Sequence, residues 1–544
     1  EQEFSKKIDL KVWKRLLGFS KPYRTLMIWL VVQMIFIGTF DAIVPLFSKY
    51  AVDNIVLANK PERLILLSVA SVVLISVQAL NVRFMVLRAG KIESWLPYDI
   101  RQSAFEHLQR LSLSYYDVTP VGWIMARLTS DCRRLGQTMS WNLVDLFWSG
   151  FMMIITAVFM LVLDWRLALM VLVTIPLLVW ISIIFQQKIL HNYRQVRKYN
   201  SHITAGFNEG ITGARTIKTL AAEQEMSDGF GKTTGQMRDF SVKAATTAAL
   251  YTPMVLMLGS IATGLVLWSG GIRMNQVGST AITYGTLAAF VSYAVQFFEP
   301  VRQFARVFTE LNYAQASAER IFALTDTVPA ISDSKQAIDI YGRVEGEEGK
   351  VEWPPFAGNI EFEKVSFGYE NGECVLEGFD LKIKAGETIA LVGETGSGKT
   401  TIANLACRFY EPDQGRILVD GVDYRDLPVM WLYSKLGYVL QEPHLFSGTI
   451  RENITYGRTY VSDDELQSAA RTAGAHDFIM RMDKGYDSEA GERGNRLSAG
   501  QKQLISFARA ILSDPVLFVL DEATSSVDTQ TEHQIQQALS RVLA

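Results

Sequence analysis

Six apolar stretches fall within the first 325 residues, at about 26–46, 64–86, 144–163, 167–185, 254–270 and 284–298. Each is near the ~20 residues that an α-helix needs to cross the ~30 Å hydrocarbon layer of a bilayer. In that layer the chain must satisfy its own backbone polar groups, so stretches of this length read as helices and the first part of the chain as a helical membrane domain. The last two are shorter and richer in Gly, Ser and Thr, which also suits buried amphipathic helices. The remaining composition is balanced, with a formal net charge of −3 and a mean hydropathy of +0.13. With no basic excess, no nucleic-acid partner is expected.

Lysine and arginine set the orientation. They gather before the first stretch, between the second and third, and between the fourth and fifth, as in Lys11, Lys14, Arg15, Arg101, Arg127, Arg133, Arg134, Arg194, Arg197 and Lys198. Those segments are assigned to the cytoplasm, which makes the chain a multi-pass protein of the cell membrane. Asp164, Trp165 and Arg166 then form a tight outer turn. The two long inner segments are amphipathic, so the helices should continue well below the bilayer and turn within 116–131 and 208–220. Residues 1–22 form a cytoplasmic elbow segment in which KVWKRLLGFSKPY reads as an interfacial helix, with Trp13, Leu16, Leu17 and Phe19 towards lipid. No compact apolar core with a small-residue cleavage site follows, so a cleavable signal peptide is not expected. Cys132, Cys374 and Cys407 all map to the cytoplasmic side, where no disulfide framework is expected, and their spacing suits no zinc site.

The last part of the chain carries different chemistry. Residues 393–400 read GETGSGKT, the pattern of a loop whose backbone N–H groups cradle phosphates. Gly393, Glu394, Thr395, Gly396, Ser397 and Gly398 form the cradle, with Thr401 just behind it. Lys399 reaches the β- and γ-oxygens and Thr400 ligates Mg²⁺. Further on, the apolar run 516–520 reads as a strand buried on both faces, ending in Asp521 and Glu522. A carboxylate at the C-terminal end of such a strand sits where ligands bind open α/β sheets. Asp521 can hold the metal, and Glu522 can reach past it to a water in line with the γ-phosphate. Between loop and strand lies LSAGQ: Leu497, Ser498, Ala499, Gly500 and Gln501. Ser498 precedes an expected helix, so its hydroxyl and the neighbouring amides form an anion site.

With these motifs in this order, residues from about 359 onward resemble the nucleotide-binding domain of an ABC transporter. The resemblance implies an α/β P-loop NTPase domain of ABC type, binding ATP and Mg²⁺, attached to an α-helical transmembrane domain of six long helices as in the exporter branch. It places Tyr369 against adenine, assigns Gln441 to sensing Mg²⁺ and the γ-phosphate, and gives Asp528 a part in a loop across the dimer. It assigns metal binding to Thr400, Gln441 and Asp521 and the catalytic base to Glu522. The LSAGQ residues are implied to act on ATP held by a second half-transporter. Ala499 stands where Gly is commoner, which tips the expectation towards an unlike partner over a second copy. The resemblance also implies a histidine near the γ-phosphate about 30 residues beyond Glu522, so the C-terminal end of the domain is expected to lie past Ala544; His533 reads as a surface residue.

The domain division expected is 23–325 for the membrane domain, 326–358 for a polar, acidic linker and 359–544 for the nucleotide domain. The expected function is ATP-driven export of an amphipathic drug, lipid or peptide, the alternative being a non-pumping member such as an ATP-gated channel or regulator. Asp41 is the only acid well inside a span and is a candidate for the substrate cavity, or else a residue near the outer interface. Gln33, Trp29 and Trp268 are further candidates to line such a cavity or to face lipid.

Overall fold

The computed structural model of the chain describes residues 9–274, 282–341, 353–369, 374–394, 396–458, 460–521 and 529–542. Two compact units result: the chain before Arg110 together with Gly122–Asp326, and Arg110–Val121 together with the chain from Thr327.

In the first unit, five helices among the described residues are long and apolar enough to span: Lys21–Val56, Glu62–Leu108, Val121–Leu163, Trp165–Thr212 and Glu223–Met274. They contain the first five expected stretches. Helix Glu62–Leu108 has 47 residues, which at 1.5 Å each is roughly 70 Å, more than twice the hydrocarbon thickness. The expected continuation beyond the bilayer is therefore present. The second inner turn also appears, where helix Trp165–Thr212 gives way to the short helix Ala214–Thr219.

The sixth expected span is helical with one break. It is a 13-residue helix, Tyr284–Gln296, capped by the Thr283 hydroxyl, and the chain resumes as Phe298–Asp326 after a break at Phe297. Pro300 lies in the first turn of that next helix, where a missing N–H costs least. One face of this helix packs into the unit, where Phe290, Tyr293 and Ala294 are fully buried and the Tyr293 hydroxyl donates to the Ala42 carbonyl at 2.7 Å, while Tyr284 and Val295 stay exposed.

The elbow helix forms as Leu10–Phe19, with the Asp9 side chain accepting from the Lys11 amide. Its apolar side differs from the expectation. Trp13, Leu16 and Phe19 recur every three residues and so share a face. That face packs inward, with Leu16 fully buried and Phe19 stacked on Phe322 at 6.0 Å. Leu17 stays exposed on the other side.

The second unit holds two sheets. Strands β1 (Ile360–Gly368), β2 (Cys374–Ile383), β3 (Gln414–Val419) and β4 (Val422–Asp423) form an antiparallel sheet in the order β2-β1-β3-β4, and β5 (Leu436–Val439) pairs with β6 (Leu517–Leu520) in parallel. β6 was expected to be buried on both faces, but all four of its residues are half-buried. Among the described residues it pairs on one side only, and residues 387–394, which lead into the phosphate loop, carry no ladder. The end of the linker packs on this unit: Trp431 Nε1 donates to the Pro354 carbonyl at 2.8 Å, and the Asp420 carboxylate accepts from the Ala357 and Asn359 amides. The short helix Leu113–Val118 also belongs here.

Candidate nucleotide site

The loop is shaped by glycine. Gly396 and Gly398 both have φ of +88°, a region that side chains with a Cβ avoid. Gly398 is the N-cap of helix Lys399–Ala406, so the first amides of that helix point into the loop. A Cβ at Gly393 would lie 2.6 Å from Ser397 Oγ, so a side chain there would have to displace that hydroxyl. Lys399 Nζ closes the loop by donating to the Gly393 and Glu394 carbonyls at 2.7 and 2.8 Å. Those contacts hold the ammonium where phosphate oxygens of a nucleotide would compete for it. Thr395 lies outside the described residues.

Thr400, next on the helix, donates through Oγ1 to Asp521 Oδ1 at 3.3 Å. Asp521 is held at the end of β6 by its amide, which donates to the Val439 carbonyl at 3.1 Å. A hydroxyl and a carboxylate side by side are a fitting pair of hard oxygen ligands for Mg²⁺, which takes few protein ligands and completes its shell with phosphate oxygens and water. Among the described residues no group of three or more His, Cys, Asp or Glu side chains could hold a metal. Gln441 lies two residues past β5 and is exposed. Glu522 and Asp528 lie outside the described residues.

Tyr369 is half-buried, edge-on to Phe367 and Tyr410 with centroids 5.0 and 5.4 Å away. Its hydroxyl lies 3.2 Å from that of the buried Thr401, which ties the aromatic to the loop helix. Tyr410 in turn donates to the Asp117 carboxylate on helix Leu113–Val118. Burial, with that carboxylate, pushes the Tyr410 hydroxyl pKa well above its ordinary value. Tyr369, Tyr410, Asp117 and Glu411 line one cavity of about 570 Å³. Sequence reasoning misses Tyr410, and it places Asp117 only within the expected turn segment 116–131 without a role at this site.

The LSAGQ segment forms the start of helix Ala499–Leu512. Ser498 is the N-cap, its hydroxyl accepting from the Gln501 amide, while the Gln501 side chain accepts from the Ser498 amide at 3.0 Å. Reciprocal capping of this kind satisfies two amides that a helix start leaves unpaired. Leu497 and Gly500 are buried anchors, whereas Ser498 and Ala499 are exposed. The Ala499 methyl therefore displaces nothing within the chain.

Residues 27–301 match the family described as ABC transporter transmembrane region, and residues 376–525 match the family described as ABC transporter. The uncharacterized ABC transporter ATP-binding protein YknV of Bacillus subtilis (strain 168) is 35% identical over 540 residues, covering 98% of this chain and 86% of that protein. The ATP-dependent lipid A-core flippase of Syntrophus aciditrophicus (strain SB) is 32% identical over 534 residues, with 98% and 86% covered. Among solved structures, that of a bacterial Atm1-family ABC exporter with ATP bound superposes with a TM-score of 0.76 at 24% identity, covering 96% of this chain and 89% of the other. The chain thus belongs to the ABC transporter family, with the fold of an exporter half-transporter: a multi-pass membrane protein whose cytoplasmic ATPase domain is coupled to transport.

Proposed function

We propose that this chain is one half of a dimer that exports an amphipathic substrate by alternating access, each ATP being held with Mg²⁺ between Lys399, Thr400 and Asp521 of one half and Ser498 of the other. The observation that supports this reading is that the nucleotide domain carries two differently built features, a glycine loop closed by Lys399 and a reciprocally capped helix start at Ser498, each of a kind that suits a phosphate. Head-to-tail closure of two such domains supplies each ATP with one site of each kind. The lipid A-core flippase among the relatives supports an amphipathic cargo. In this reading Tyr369 stacks on adenine, Gln441 senses metal and γ-phosphate, Asp528 meets the partner domain, and Glu522 activates water. The departure at Ala499 favours an unlike partner.

A dimer is accordingly expected in mild detergent, and only the dimer should hydrolyse ATP; a stable monomer that turns over ATP would sink the head-to-tail arrangement. Vesicles should accumulate substrate against its gradient only with ATP, whereas flux that merely runs down the gradient would identify a gated channel instead.

Asp41 is half-buried and accepts from Trp148 Nε1 at 3.1 Å. If it also meets cationic cargo, Asp41→Asn keeps the indole contact and lowers stimulation by cationic amphiphiles roughly five-fold, the worth of one hydrated ion pair. Neutral cargo should respond as before. Equal loss for both would give Asp41 the purely structural task of holding Trp148.

A further inference from the structure

Gln33 lies on the first spanning helix, Arg24–Ala51, and Gln78 and Asn81 on the second, Glu62–Leu108. Gln33 is 95% buried by its 5% exposure, and its Nε2 donates to the Asn81 carbonyl at 3.2 Å. Gln78 stands one turn from Asn81 on the same helix face. Gln33 Oε1, Gln78 Oε1 and Asn81 Nδ2 are buried and have no hydrogen-bond partner among the described residues. In hydrocarbon, unpaired polar groups of this kind are costly and mark functional sites.

The same two helices line a groove of about 370 Å³, with Phe36 and Phe40 on one and Ala70, Val73, Leu74 and Val77 among the residues on the other. Phe36 follows Gln33 by three residues and Asn81 follows Val77 by four, so groove and amides form one stripe along the helix pair. The first helix runs outward and the second returns, which puts the amides at the cytoplasmic end. Asn81 is five residues from the inner end of its apolar stretch, or about 8 Å below the hydrocarbon surface.

We propose that this stripe is a binding site for one amphiphile held head inward and tail outward. Its hydrocarbon chain fills the groove, and a head group that both donates and accepts hydrogen bonds, such as an amide, satisfies Gln33, Gln78 and Asn81. The depth selects the occupant: a resident lipid keeps its head at the interface and would leave the amides against methylenes, whereas a molecule leaving the cytoplasmic leaflet passes this level. The proposal deepens the export reading and rests on it for the direction of travel.

The test uses the full dimer in phosphatidylcholine nanodiscs and a primary fatty amide with a diazirine at the chain end, its adducts mapped by peptide mass spectrometry. Adducts are expected on residues 36–40 and 66–77. The methyl ester of the same chain, which has no donor, should label them roughly ten-fold less, the worth of one or two intramembrane hydrogen bonds. Gln33→Leu with Asn81→Leu should lower amide labelling to the ester's level at unchanged melting temperature; Leu74→Trp, which fills the groove and keeps the amides, serves if that double variant does not fold. Equal labelling by amide and ester, adducts spread evenly over other exposed apolar residues such as Val158 and Leu256, or disulfide-linked dimers from Leu74→Cys showing the groove covered by a second chain would each overturn the site. ATP-driven transport measured alongside separates the two readings: labelling without transport overturns export and leaves the site standing, while transport without labelling overturns the site alone.

Discussion

Replacing Glu522 by Gln is expected to lower ATP hydrolysis by roughly 10²- to 10⁴-fold, the range for loss of a general base, while ATP affinity barely changes. The separation follows from where the groups stand. In the proposed site the phosphates would meet the loop amides and Lys399, whose Nζ lies on the Gly393 and Glu394 carbonyls, and the metal would meet Thr400 and Asp521, whose oxygens are 3.3 Å apart. Glu522 is the next residue along the chain and is assigned to none of those tasks. Gln keeps its shape and can still orient water, but it cannot take the proton. With the bond uncleaved, ATP's differential contacts with the closed pair shift the population towards it and hold the membrane half away from its inward-open form. Lys399→Ala should do the opposite, weakening nucleotide binding and leaving the pair apart. Single-turnover hydrolysis with parallel nucleotide binding checks both. Near-parental hydrolysis by Glu522→Gln would move the base to another residue, or make this chain the contributor of the silent site in an unlike pair.

What can be read in the sequence depends on whether the physical demand is local. The phosphate loop is legible because positive φ at Gly396 and Gly398 and the helix start at Lys399 are demands that a few neighbouring residues meet by themselves. The same holds for Ser498 and Gln501, which cap one helix over three positions. The spans are legible because lipid imposes length and apolarity on each helix singly. In the sixth, hydropathy misses the break at Phe297 and the packing of one face. Phe290 and Tyr293 are buried by packing inside the unit, and hydropathy does not distinguish a side chain facing lipid from one facing a neighbouring helix. The elbow helix fails for the same reason, since its apolar face meets Phe322. Tyr410 and Asp117 are 293 residues apart, and nothing near either residue announces the other. The half-buried state of β6 likewise depends on what lies beside it, which its own apolar run cannot reveal.

Asp164→Ala is expected to destabilise the membrane unit by about 3–5 kcal/mol, the cost of stranding one partner of a buried ion pair. Asp164 caps helix Trp165–Thr212, accepting from the Arg166 and Leu167 amides at 3.0 Å each. Its two oxygens also receive Arg273 Nη1 and Nη2 at 2.9 and 2.6 Å, and both side chains are only 13% exposed. Losing the cap alone costs about 1 kcal/mol, so the guanidinium left without its carboxylate dominates. Asp164→Ala with Arg273→Met should therefore recover most of the loss, because removing both charges removes the stranded one. Burial pushes the Asp164 carboxyl pKa up, but the Arg273 guanidinium and the helix amides outweigh it and hold the pKa below the ordinary carboxylate range. A depressed carboxylate contributes stability that is present above the unfolded value, near 3.9, and lost as pH falls through the folded one. The parent chain should thus keep this contribution from pH 7 down to about 5 and lose it only in stronger acid, while the Asp164→Ala chain loses nothing there from this site. Unfolding in detergent, followed against denaturant at several pH values, measures both effects. A loss under about 1 kcal/mol for the single variant would mean that Arg273 reaches lipid head groups at the outer surface by snorkelling, and that the pair orders the turn without anchoring it.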